Sequence, residues 1–201
     1  MIEASGLHIG PDGRARCAWS SSDPLYQDYH DREWGRPTTD DRYLFEKLCL
    51  EGFQAGLSWL TILRKRENFR RAFAEFDAAA LCRFGQGDVT RLLTDAGIVR
   101  HRGKIESVLN NARRALELRA EAGSIYAFVR GFAPAPRPAR IDIATLRTLA
   151  STPESTALSK ELRRRGWSFV GPTTVYAFMQ ATGLVDDHVA GCWVGRHGTV
   201  T

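Results

Sequence analysis

The feature that most constrains the fold is the helical spacing of the apolar residues, without any sustained two-residue alternation. The longest such pattern runs from Leu44 to Leu63, and Asp40 or Asp41 can cap its start. The same period predicts further helices over 67–75, 78–84, 88–95, 104–122, 124–132, 153–166 and 172–181. The sequence therefore predicts an all-α fold, with the run PAPRP at 134–138 as a connection.

The stretch CLEGFQAGLSW, at 49–59, places one carboxylate, Glu51, among apolar and small residues. Gly52 and Gly56 interrupt the helical pattern and predict a bend near Glu51. An ionised glutamate in such surroundings is costly to desolvate unless it is paired, neutralised or open to a positive group. The alternative is that Glu51 reaches solvent or caps nearby backbone.

Length and composition favour one globular domain or two closely packed halves. We place this helical domain at 17–192, after a poorly ordered leader at 1–16 and before a tail at 193–201. Neither a membrane-spanning run nor the apolar core of a secretory signal is found, so the expected location is the cytosol. The net charge is +5, and the positive residues cluster at 64–71, 100–104, 113–119 and 160–165. Such clusters suit a polyanionic partner, although basic helical faces are often only solvated.

The segment 17–37 reads as irregular and is dense in aromatic residues, namely Trp19, Tyr26, Tyr29 and Trp34. Aromatic side chains outside a periodic pattern indicate a lined cavity. The alternative is an ordinary core in which each polar tip finds a partner.

Four metal-ligand types lie near the ends of the domain: Cys17 and His30 at its start, His188 and Cys192 at its close. Two cysteines and two histidines suit tetrahedral zinc, which here would join the termini. A complete set of four protein ligands leaves no position for water, so the predicted Zn²⁺ is structural. The alternative is a buried cysteine and two surface histidines.

Residues 92–105 predict a helix, a glycine-containing hairpin and a second helix. Such a hairpin can aim backbone N–H groups at a phosphate while basic side chains supply charge. The candidates for DNA binding are Gly97, Arg100, Arg102 and Lys104. Taken alone, a glycine-linked helical pair is usually only a connection.

Five stretches together resemble the 3-methyladenine DNA glycosylase I family of the helix-hairpin-helix superfamily. They are YHDREWGRP (29–37), CLEGFQAGLSW (49–59), RKRENFR (64–70), DAGIVRHRGKI (95–105) and RRGWSFVGPTTVYAFMQATGLVDDH (164–188). The resemblance implies that the Cys/His set binds structural zinc. It also implies that Glu51 and Tyr29 hydrogen-bond an excised base, that Trp59 stacks on it and that Leu57 fills the gap left in the duplex. Trp19, Tyr26 and Trp34 would complete an aromatic wall.

The activity implied is excision of 3-methyladenine from alkylated double-stranded DNA without strand cleavage, in the bacterial cytoplasm. A monomer is sufficient for this chemistry, although the sequence leaves the oligomeric state open. N3-methylation makes the base cationic and a good leaving group, so selective binding can replace a strong general base. The sequence has no Asp between Asp95 and Asp142 to act as that base. Lys104 is expected to contact phosphate or solvent. The alternatives are a non-catalytic binder of damaged DNA and, less favoured because the ligand set is closed, a zinc hydrolase.

Overall fold

The computed structural model describes residues 5–137 and 139–194 and confirms a mainly helical architecture. Within these residues there are ten α-helices: α1 (Pro24–Arg32), α2 (Asp41–Gln54), α3 (Trp59–Ala72), α4 (Ala78–Leu81), α5 (Gln86–Thr94), α6 (Arg102–Ala122), α7 (Ile125–Arg130), α8 (Ile143–Thr148), α9 (Pro153–Arg164) and α10 (Pro172–Ala181). Short 3-10 helices cover Ala18–Ser22 and Ala74–Phe76. In the described part of the chain, no helix is both long and apolar enough to cross a bilayer.

Helix α2 is the central element, because ten consecutive residues from Leu44 to Phe53 are buried in it. It contacts α3, α6, α7 and α10. The Asp40 side chain accepts hydrogen bonds from the backbone N–H groups of Arg42 and Tyr43, as the predicted cap requires. An element surrounded on all sides must bury its polar residues too, which is why Glu46, Lys47 and Glu51 are inside the protein.

The predicted bend at Glu51 is wrong. Helix α2 continues through Glu51 and Gly52 and ends at Gln54, and the chain turns at 55–58 before α3. Gly56 has φ +82 in that turn, a conformation that favours glycine. Gly52 instead permits close packing, since a Cβ there would lie 3.2 Å from the Cβ of Phe169.

The segment 17–37 is more regular than expected, since it forms a 3-10 helix followed by α1. Asp23 caps α1 by accepting from the Leu25 N–H, and Pro24 occupies the first helical turn. Helix α8 has no counterpart in the sequence prediction. At six residues, with none of them buried, it lacks the repeated apolar spacing that identifies longer helices.

The described part of the expected leader differs from a poorly ordered segment. Strands β1 (Leu7–Ile9) and β2 (Ala15–Cys17) form an antiparallel hairpin in which Leu7 pairs with Cys17. Three-residue strands are too short to show alternation. The expected tail also begins later, because the Trp193 N–H donates to the Ala15 carbonyl and Val194 is buried. Residues 1–4 and 195–201 of these two segments lie outside the described residues.

Candidate base-binding site

A cavity of about 280 Å³ lies beside the C-terminal half of α2. It is bounded by the aromatic N-terminal segment, by α2, α3 and α10, and by α8 and the residue after it. The lining residues are Trp19, Tyr26, Tyr29, Trp34, Glu51, Gln54, Trp59, Leu146, Leu149, Ala177 and Gln180. One planar heterocycle is a suitable occupant for an aromatic cavity of this size.

All five aromatic residues predicted to form the pocket line this one cavity. Trp19 contacts Tyr26 and Trp34 with ring centroids 4.8 and 5.0 Å apart, and Tyr29 lies 5.5 Å from Trp59. Tilted and edge contacts of this kind fix the ring orientations. An ordinary closed core does not describe Trp19 and Tyr26, which are only partly buried and border open space.

Glu51 lies in the last turn of α2 and is 4% exposed. The alternative in which its carboxylate reaches solvent is therefore wrong. Its Oε1 lies 3.3 Å from the Lys47 Nζ, one turn earlier on the same helix. Burial raises the pKa of Glu51, and the neighbouring Lys47 opposes that rise.

Lys47 is a charged residue beside the cavity that sequence reasoning missed. Its side chain is 1% exposed, and its Nζ donates a 2.8 Å hydrogen bond to the Tyr29 hydroxyl and lies 3.7 Å from the centroid of the Trp59 ring. Burial lowers the pKa of Lys47, and the Glu51 carboxylate opposes the fall. The i, i+4 spacing of Lys47 and Glu51 was a visible signal for the pair, but not for its burial.

The two tyrosines remain protonated in this environment. Burial, reinforced by the negative charge of Glu51, raises the pKa of Tyr26 to about 12 and that of Tyr29 well above its usual value. Both hydroxyls are therefore available as hydrogen-bond donors at neutral pH. The Tyr29 hydroxyl already accepts from Lys47, which leaves its own proton to donate.

The residues predicted to contact DNA lie on elements next to the cavity. Leu57 is 42% exposed in the turn between α2 and α3, three residues after the cavity-lining Gln54. Helices α5 and α6 are joined by residues 95–101, in agreement with the pair of connected helices predicted over 92–105, and Arg100 and Arg102 are exposed there. Arg102 pairs with Glu106 at 3.3 Å, a surface contact that costs little to exchange for phosphate.

Two members of the predicted DNA-binding set are placed differently from expectation. Lys104 is 6% exposed rather than open to solvent, and its Nζ donates to the carbonyls of Phe53 and Ala55 at 2.8 and 2.6 Å. It thus satisfies carbonyls that the end of α2 leaves without helical partners. The Gly97 N–H donates to the Asp95 side chain at 2.7 Å, so it does not point freely at a phosphate.

Phe169 is a further exposed residue beside the hairpin that the sequence did not single out. It is 38% exposed and has φ +56, an uncommon conformation for a non-glycine residue. Its ring lies 6.2 Å from the His101 ring and borders Gly103 at the start of α6. Phe169 and Leu57 therefore both adjoin the contact between the end of α2 and the start of α6.

The predicted metal ligands are far apart in sequence but lie close together in the structure. One ligand atom from each of Cys17, His30, His188 and Cys192 lies within 4.8 Å of the others, and all four residues are buried. The Cys192 Sγ lies 3.4 Å from the His30 Nε2 and 3.6 Å from the His188 Nδ1. The alternative with two surface histidines is wrong, since His30 and His188 are 0% and 1% exposed.

In both histidines, the ring nitrogen that does not face the cysteines has a polar partner, as is usual for metal-bound histidines. The His30 Nδ1 lies 2.8 Å from the Asp31 Oδ1, and the His188 Nε2 lies 3.2 Å from the Trp34 carbonyl. These partners orient each ring so that the other nitrogen faces the cysteines. The donor types, their separation and their orientation all fit a tetrahedral zinc site.

Comparisons with known proteins agree on one family. The family model for methyladenine glycosylase matches residues 19–195. The chain is 51% identical to DNA-3-methyladenine glycosylase 1 of Escherichia coli K12, over 88% of this chain and 95% of that protein. It is 44% identical to the DNA-3-methyladenine glycosylase of Haemophilus influenzae Rd, over 88% and 96%.

Solved structures give the same result for the fold. A crystal structure of a 3-methyladenine DNA glycosylase I superposes with a TM-score of 0.84 at 49% identity, covering 89% of this chain and 98% of the other. The Staphylococcus aureus enzyme, whose structure describes 3-methyladenine recognition, gives 0.85 at 36% identity, covering 91% and 98%. The cavity, its buried carboxylate and its aromatic wall therefore occur in a chain that belongs to the methyladenine glycosylase family.

Proposed function

We propose that this protein is a DNA repair N-glycosylase that removes 3-methyladenine from alkylated DNA. The observation that carries the proposal is the buried Glu51 carboxylate in a cavity walled by five aromatic side chains. Aromatic faces and a carboxylate both attract a cationic ring, whereas neutral adenine gains much less from them. The relatives named above carry this activity in their names.

The reaction requires little acid–base chemistry from the protein. The bond between N9 and C1′ breaks with its electrons remaining on the base, which leaves as neutral 3-methyladenine, and the positive charge passes to the sugar. Water then adds to C1′ and releases a proton to solvent. Glu51 accepts an N–H of the base, Tyr29 donates to it and Trp59 stacks on it, so that binding selects the activated base.

A strand-cleaving step is not part of the proposal. Such a step needs a free amine to form a Schiff base with the sugar. Lys104, the candidate considered from the sequence, has its ammonium bound to the carbonyls of Phe53 and Ala55. Its role in the proposed function is to hold the turn that carries Leu57.

We infer that the DNA docks on the face formed by the α5–α6 hairpin and the 55–58 turn, as in helix-hairpin-helix proteins. Arg100 and Arg102 supply exposed positive charge there for phosphate. Leu57 would enter the stack when the damaged nucleotide rotates into the cavity, which offsets part of the unstacking cost of a few kcal/mol. Phe169 would extend the apolar part of this face.

We also infer that Cys17, His30, His188 and Cys192 hold one zinc ion. With four protein ligands the ion would have a structural role, tying the N-terminal aromatic segment to the C-terminal end.

Every proposed base-binding residue belongs to one chain, so a monomer suffices for the reaction. The relatives are bacterial proteins, which supports work in the bacterial cytoplasm.

The test is chromatographic identification of the bases that the purified protein releases from methylated duplex DNA. We expect free 3-methyladenine, with intact DNA strands and no covalent trapping by borohydride. Tight binding to the lesion without release would favour the non-catalytic alternative. Release of other products, or release that depends on a zinc-bound water, would contradict the proposed mechanism.

A further inference from the structure

Lys47 lies behind the cavity wall and contacts three of its central residues at once. It is not itself a lining residue, and its side chain is 1% exposed. Its ammonium is 3.3 Å from the Glu51 Oε1, 2.8 Å from the Tyr29 hydroxyl and 3.7 Å from the Trp59 ring centroid. These are the same three residues that the proposed function assigns to the base.

A cationic base entering the cavity therefore shares its acceptors with a resident positive charge. One oxygen of Glu51 is already in an ion pair, and Trp59 already makes one cation–π contact. The other charges close to Lys47 belong to Glu33 and Arg66, which neutralise each other at 2.5 Å. The local charge is thus set mainly by Lys47 and Glu51.

Charge counting shows what this arrangement does during the reaction. With Lys47 protonated and Glu51 ionised, the pair sums to zero, and the cationic base raises the total to +1. When the bond to C1′ breaks, the electrons remain on the base, and the total next to Lys47 returns to zero. A positive charge at this position therefore opposes the bound cation more than it opposes the transition state, in which the charge is moving to the sugar.

We propose that Lys47 sets the charge of the base site, so that the pocket weakens its hold on the cationic base and favours its departure as a neutral molecule. This inference rests on the proposed excision reaction. In it, Glu51 selects for positive charge and Lys47 limits how strongly that charge is held. Lys47 is a positioning residue that acts through Glu51, Tyr29 and Trp59, because it lines no part of the cavity.

The experiment compares the wild type with Lys47→Met, which keeps an unbranched chain and removes the charge. Binding is measured for two free ligands of nearly equal shape: neutral 3-methyladenine and the permanently cationic 3,9-dimethyladeninium ion. We expect the preference for the cation over the neutral base to rise about tenfold in Lys47→Met. In single-turnover excision from methylated duplex, we expect the rate at saturating enzyme to fall about 10- to 100-fold.

Matched variants separate charge from packing. Lys104→Met removes another buried ammonium from a different helix and should leave the ligand preference at the wild-type value. Lys47→Arg retains the charge and should retain the preference, and Lys47→Gln serves as a second neutral variant if Lys47→Met does not fold. An unchanged preference in the neutral variants, or an equal loss of both ligands, would overturn the inference. If the wild type released no base, the proposed function itself would fail, whatever the variants did.

Discussion

At the scale of single residues, the Glu51 carboxylate has one charged partner in the free protein and gains a second in the proposed complex. In the free protein it pairs with Lys47, and in the proposed complex it also accepts from a cationic base. The pairing reduces the cost of burying a carboxylate that is 4% exposed, and it opposes the rise that burial causes in the pKa of Glu51. The sequence identified the problem that Glu51 poses, but it did not identify this solution.

Replacing Glu51 by Gln tests its role in selection. Glu51→Gln should weaken binding of the cationic dimethyladeninium ligand about 10- to 100-fold, because a charge-assisted hydrogen bond becomes a neutral one. Binding to undamaged duplex should change little, since it depends mainly on phosphate charge. The measurement is equilibrium binding of the dimethyladeninium ion and of undamaged duplex DNA.

Glu46 offers a matched control for that substitution. It is a second buried glutamate of α2, but it pairs with Arg70 and does not line the cavity. Glu46→Gln should reduce stability without changing ligand preference. Equal losses of lesion and undamaged-DNA binding in Glu51→Gln would instead make Glu51 a structural residue.

The Lys47–Glu51 pair also makes a prediction about stability. Each single neutral substitution leaves the other group buried without its main partner, which costs about 3–5 kcal/mol when a buried pair is broken. The double variant Lys47→Met/Glu51→Gln removes both charges and should be destabilised much less than the sum of the singles. Urea unfolding of the four proteins completes the double-mutant cycle, and additive losses would show that the two groups do not interact.

At the scale of elements, the end of α2 determines where the cavity meets the proposed DNA-binding face. The sequence predicted the helix and its Asp40 cap, because capping and apolar spacing are local properties. It placed a bend at Glu51 because Gly52 lowers helix propensity. The structure shows that Gly52 serves contact with Phe169, a residue distant in sequence that no local pattern could indicate.

Lys104 is a second residue whose contacts could not be predicted from the local sequence. A lysine in a basic hairpin segment predicts solvent or phosphate contact, yet its ammonium crosses to the carbonyls of Phe53 and Ala55. Only the packing of α6 against α2 determines this placement. Four of the cavity-lining aromatic residues were predictable because their density in the segment 17–37 is itself a local signal, whereas the place of Trp59 followed only from the family resemblance.

Removing the Lys104 contact should loosen the 55–58 turn. We expect Lys104→Met to destabilise the protein by about 1–3 kcal/mol, since two carbonyls lose a charged donor. Backbone amides of the turn should exchange faster with deuterium, and excision from duplex should fall while free-base binding is retained. Lys160→Met, at an exposed position, removes the same charge and should change neither exchange nor stability. Unchanged exchange in Lys104→Met would show that the turn does not depend on this contact.

At the scale of the whole molecule, the Cys/His cluster joins parts of the chain that are more than 150 residues apart. His30 and Cys192 are separated by 162 positions, and the N-terminal hairpin and the last described residues pack beside them. The same segment that supplies Cys17 and His30 also supplies Trp19, Tyr26 and Tyr29 to the cavity. Order at the Cys/His cluster is therefore coupled to order in the aromatic wall.

This coupling gives a prediction for metal removal. Cys192→Ser should abolish binding of one zinc ion per chain, and it should lower the melting temperature by about 5–10 °C. Elemental mass spectrometry measures the zinc content. Base binding should weaken as well, because the aromatic wall loses its attachment. Cys82→Ser is the matched control, since Cys82 is a partly exposed cysteine outside the cluster. If Cys192→Ser kept its zinc and its melting profile, Cys192 would not be a ligand of the proposed metal site. If the variant lost zinc but still bound the base, the cavity would be ordered independently of the metal.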